Sequence, residues 1–138
     1  MHLLGAILLA ATFSTAERDV LEKVNAHRRA LGLGELAWHE PAAAEARRHC
    51  GDVLDAKAHA HEGFPGRAAR LRRAAGAQRA GENLLLQAGT PFRASRAVVE
   101  WLESEGHRRA VEGPFQLSGV GVVQRGGRVC AAQIFLGR

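Results

Sequence analysis

Aromatic residues are scarce in this chain, 5% of 138 with no tyrosine, and they form no cluster. That argues against a nucleic-acid binder of the base-stacking kind, which needs successive aromatic faces and a recognisable module. Cysteine occurs twice, at Cys50 and Cys130, without a CxxC pair, so a many-bridge disulfide scaffold is excluded. No apolar run reaches the ~20 residues needed to cross a bilayer; the longest, Leu3 to Phe13, has 11, and no transmembrane segment is expected. The short signatures HExxH, GxSxG, GxxxxGK and GxGxxG are all missing, which removes the commonest enzyme and nucleotide-binding motifs. What is present, 46% hydrophobic and 24% charged residues in one domain's length, describes an ordinary globular unit with a real core.

The apolar stretch at the start precedes Ser14-Thr15-Ala16, small residues at the spacing signal peptidase prefers. Residues 1–16 are therefore expected to be a signal peptide and residues 17–138 the mature domain, secreted or periplasmic. A buried first helix is the alternative, because the n-region carries little positive charge. The formal net charge is +5, almost wholly from arginine, since Lys23 and Lys57 are the only lysines. Arg67, Arg70, Arg72 and Arg73 form the densest cluster and read as a solvated helix face. In an oxidising compartment one bridge between Cys50 and Cys130 is the simple reading, with two separate buried thiols as the alternative.

Apolar residues three and four apart predict helices over Ala16–Leu31, from Pro41 toward Ala58, over Arg67–Ala75 and over Ala94–Ser104. His61–Gly66 reads as a loop, Leu33–Trp38 as a connector and His107–Val111 as a short turn. Asn83–Gln87 has the length of a buried strand, and Val120–Val123 with Val129–Phe135 flank a glycine turn as a β-hairpin. Helices first and strands last give an α+β class, in a three-layer α-β-α sandwich around a small antiparallel sheet.

Polar residues at the breaks are the chemical candidates: His59 and His61, Glu82 and Asn83, and His107. Imidazoles with a carboxylate can hold a divalent cation or activate water. A competing local set is His49, Cys50, His59 and His61, although its spacing matches no familiar zinc pattern. Trp38 and Trp101 read as core residues, and Asn83 and Gln133 as buried polar groups tied to backbone.

Read in order, Val24-Asn25-Ala26-His27-Arg28, Leu36-Ala37-Trp38, Ala60-His61, Gly81-Glu82-Asn83, Trp101 with Ser104-Glu105-Gly106-His107-Arg108, Gly119-Val120-Gly121-Val122 and Gln133-Ile134-Phe135 resemble a CAP domain. This is the SCP-like superfamily of cysteine-rich secretory, antigen five and pathogenesis-related proteins, and the chain resembles its short bacterial members. The resemblance implies an α-β-α sandwich, secretion and a cleft lined by two histidines and two acidic residues. Matched residue by residue, His61 and His107 are the histidines and Glu82 one carboxylate, while Ser104 stands where animal and plant members carry the second. Glu103 is adjacent, but one helical step turns a side chain by ~100°. His59 is the alternative to His61.

The expectation is thus a secreted binding module for an unknown small molecule, lipid or envelope polymer. Its cleft would hold a divalent cation, zinc or similar, through His61 and His107. The alternative is a metal-dependent hydrolase acting on peptide or envelope polymer, with Glu82 as the base. A monomer is expected.

Overall fold

The computed structural model describes residues 14–89 and 91–138. Most of the expected signal peptide, residues 1–13, lies outside the described residues. Ser14 caps helix α1 (Thr15–Ala30) through a capping box: Glu17 N donates to Ser14 Oγ at 3.2 Å and Ser14 N to Glu17 Oε1 at 3.0 Å. The expected cut after Ala16 thus falls in the first turn of α1, beyond its cap.

The remaining elements follow in the order β1 (Ala37–Trp38), α2 (Glu40–Leu54), α3 (Phe64–Ala75), β2 (Arg79–Ala88), α4 (Ala94–Glu103), α5 (Glu105–Val111), β3 (Leu117–Arg125) and β4 (Arg128–Gly137). One sheet of order β1-β3-β4-β2 holds them together. It is antiparallel except for β1, which pairs parallel with β3 through two residues of the expected connector. The hairpin turns at Gly126 and Gly127, both at positive φ (54° and 74°), as a tight primed turn requires.

Three layers result. On one face α2 and α3 bury Ala42, Ala46, Val53, Leu54 and Leu71 against Leu84, Ala132, Ile134 and Leu136. On the other, Val20, Val24, Val98, Trp101 and Val111 from α1, α4 and α5 meet Val120 and Phe135. Alternation along β3 explains its Gly-Val-Gly-Val run. The valines face α1, whereas Cβ atoms on Gly119 and Gly121 would lie 2.1 Å from Ala43 N and 2.5 Å from Arg47 N of α2. Only glycine lets that helix lie so close to the strand. Cys50 and Cys130 form a fully buried disulfide that ties α2 to β4.

The Asn-Ala-His-Arg segment is scaffold. Asn25 exchanges two hydrogen bonds with the backbone of Leu36, and Arg28 donates to the carbonyls of Gly34, Val111, Gly113 and Phe115. A buried guanidinium in this way satisfies carbonyls of the chain leading into β1 and into β3.

Three helical features differ from expectation by more than a residue. Helix α2 stops at Leu54, and Ala56 two residues later has φ 58°, a left-handed position that ends the run. Helix α3 begins at Phe64 rather than Arg67, because Gly63 caps it at φ 78° and Pro65 suits a first turn. His107 lies in a helix, α5, rather than a bare turn.

Candidate functional site

His61, Glu82, Ser104 and His107 arrive from four places in the chain and line one depression of about 370 Å³. Glu82 comes from β2, which is an edge strand, and His107 from the first turn of α5, held against β2 by a 2.9 Å bond from Asn83 Nδ2 to His107 O. His61 comes from the turn before α3, and Ser104 is the joint between α4 and α5. His59 lines a different depression with Val53, Lys57 and Leu86, so of the two candidates only His61 reaches the cleft. Glu103 is exposed and does not line it.

The cleft's carboxylate is not free. Glu82, its side chain 1% exposed, receives both nitrogens of one edge of Arg67: Nε to Oε2 at 3.1 Å, and Nη2 to Oε1 and Oε2 at 2.8 and 2.9 Å. Such a fork is the strongest pairing a carboxylate makes. His61 Nδ1 lies 3.1 Å from Oε1 on the other side. Arg67 itself is buried, which corrects the expectation of a solvated arginine face; Arg70, one residue short of a turn further on, is exposed and pairs with Glu45. The signal for Arg67 was its position four residues before Leu71, on the buried side of α3.

His107 is held below its ordinary pKa of 6.5, first by burial and second by the charge His61 would carry. Its imidazole is therefore neutral at neutral pH, the form in which it can donate a lone pair to a cation. A divalent ion thus fits the donor chemistry in part. Among the described residues no three His, Cys, Asp or Glu side chains converge as a ligand set, so the protein offers two imidazoles and no closed cage.

The competing set of His49, Cys50, His59 and His61 does not form. Cys50 is consumed by the disulfide, and His49 Nε2 bonds the carbonyl of Ala60. Trp101 is buried as expected, and Asn83 is buried and tied to a backbone carbonyl; Gln133 is buried too, but its Nε2 donates to the Ser118 hydroxyl at 2.9 Å rather than to backbone. Trp38 is half-buried and donates its indole N–H to Glu40. A larger depression of about 530 Å³ beside β2 and α4 carries Arg93, Arg96 and Glu100 but no imidazole.

Among the described residues no helix is long and apolar enough to cross a membrane. A stretch of 113 residues is 33% identical to the membrane protein YlbC of Bacillus subtilis strain 168, covering 79% of this chain and 32% of that protein. The chain thus spans about a third of the length of this relative. An extracellular protein containing an SCP domain from Bacillus anthracis superposes with a TM-score of 0.70 at 30% identity, over 89% of this chain and 40% of the other. An outer surface protein of Borrelia burgdorferi shares the fold with a TM-score of 0.73 at 17% identity, over 86% and 89% of the two chains. Residues 21–135 match the cysteine-rich secretory protein family, and the chain belongs to that family, the CAP domains.

Proposed function

We propose that this CAP domain is an extracytoplasmic binding module whose cleft takes its ligand at His61 and His107, with a divalent cation such as zinc between them. The observation that carries the reading is the Arg67–Glu82 pair. A general base must be free to accept a proton from water, and both Glu82 oxygens already accept from a guanidinium. Hydrolysis of a peptide or envelope polymer is the weaker reading for that reason, and Ser104 in place of a second carboxylate weakens it further.

Charge narrows the ligand. Imidazole ligands bring no charge to a divalent cation, and Arg67 already cancels Glu82, so an anionic oxygen donor, carboxylate or phosphate, best completes the coordination. Location outside the cytoplasm is supported by the buried disulfide and by the similarity to an extracellular protein of Bacillus anthracis.

Zinc titration of single variants tests the assignment. His61→Ala or His107→Ala should each remove most of the affinity, whereas Glu82→Gln, which keeps shape and an acceptor oxygen, should cost about tenfold as an outer-shell change does. A Glu82→Gln loss as large as that of either histidine would make Glu82 a ligand and return the hydrolytic reading to the front.

A further inference from the structure

Arg67 does not line the cleft, yet it holds a carboxylate that does. Arg67 enters from the first turn of α3, where Gly63 at φ 78° gives it room: a Cβ at position 63 would lie 3.2 Å from Arg67 Nη1. The guanidinium is gripped from several directions. Nη1 donates to the Glu62 carbonyl at 2.7 Å, Nε and Nη2 grasp Glu82, and the group lies 5.9 Å above the Phe64 ring. Neither Arg67 nor Glu82 is free to turn, since their side chains are 8% and 1% exposed. The His61 side chain is 50% exposed, and among the described residues its hydrogen-bond partner is Glu82.

We propose that Arg67 is a positioning residue for His61, acting through Glu82: the guanidinium fork fixes the carboxylate, and the carboxylate fixes the imidazole as its Nδ1–H tautomer with Nε2 turned to the cleft. The chemistry follows from the donors. A carboxylate only accepts, so the nitrogen 3.1 Å from it carries the proton. In the neutral ring Nε2, on the far side, is then left with the lone pair a cation or a ligand N–H would meet. Arg67 is to His61 what a carboxylate partner alone is in simpler metal sites, one layer further out. A lysine would supply the charge without the planar fork, so the Glu82 plane would no longer be set.

The inference rests on the binding reading where it concerns zinc, and not where it concerns the tautomer. The test is imidazole ¹⁵N NMR of the metal-free full chain, with zinc titration of the same samples. Wild type should show His61 as one tautomer, protonated at Nδ1. The double variant Glu82→Leu with Arg67→Met, which leaves no unpaired buried charge, should show both tautomers and bind zinc about tenfold more weakly. Arg67→Lys should fall between the two. Should the double variant not fold, Arg67→Lys decides, and an unchanged tautomer there overturns the proposal. So does zinc affinity in a folded double variant equal to wild type. If wild type takes up no zinc, the binding reading fails, and the tautomer pattern alone then decides the role of Arg67.

Discussion

Gly119 and Ala43 stand so close that a Cβ on the glycine would lie 2.1 Å from the Ala43 nitrogen, nearer than any non-bonded contact allows. The contact is backbone, so it cannot be relieved by a rotamer change. It brings α2 onto the middle of the sheet, and with it the disulfide at Cys50.

Gly119→Ala should therefore cost at least the upper end of the ~1–3 kcal/mol usual for overpacking, because a whole helix must move. Urea denaturation reads it as a lowered midpoint. Gly34→Ala, where a Cβ meets nothing within 4 Å, is the control and should change little. Equal midpoints for the two variants would contradict the close approach.

The Cys50–Cys130 bridge closes a separation of 80 residues, worth about 4 kcal/mol on the chain-entropy model. Reduction under native conditions should be slow, since both cysteines are 0% exposed. Once reduced, the chain should unfold at a lower denaturant concentration and weigh about 2 Da more, the two hydrogens regained when the bridge opens. Thiols that react at once in the folded protein would contradict a buried bridge.

Acid should weaken the fold in a defined window. Burial lowers the pKa of His39 below 6.5, and its Nε2 is a buried atom with no hydrogen-bond partner among the described residues. His107 shifts the same way, from burial first and His61 second. Between the lowered values and 6.5 the unfolded chain binds more protons, so stability is complete above 6.5 and declines as pH falls through the folded values. The urea midpoint should be lower at pH 5.5 than at pH 7.5, and His39→Gln should narrow the difference. An unchanged difference would remove His39 from the account.

Much of this was legible in the residues. Apolar spacing located α1 and α4 because each buries one stripe of its surface, and the hairpin because its strands, covered on both faces, are nearly continuous apolar runs flanking two glycines. The ordered motifs brought His61, Glu82 and His107 to one cleft, since they mark where α3, β2 and α5 converge. Strand β2 begins at Arg79 rather than at Asn83, because its ten-residue pairing with β4 outweighs the glycine at position 81. The burial of Arg67 was missed because four arginines in seven residues look alike until a strand is laid beside one face of the helix.

The account rests on His61 and His107 acting together at one cation. Calorimetric titration of zinc into the wild-type chain and the His61→Ala/His107→Ala double variant at pH 7 measures that directly. One site per chain in wild type, lost in a double variant that remains folded, is the predicted result. Equal zinc affinity in the two proteins would contradict it.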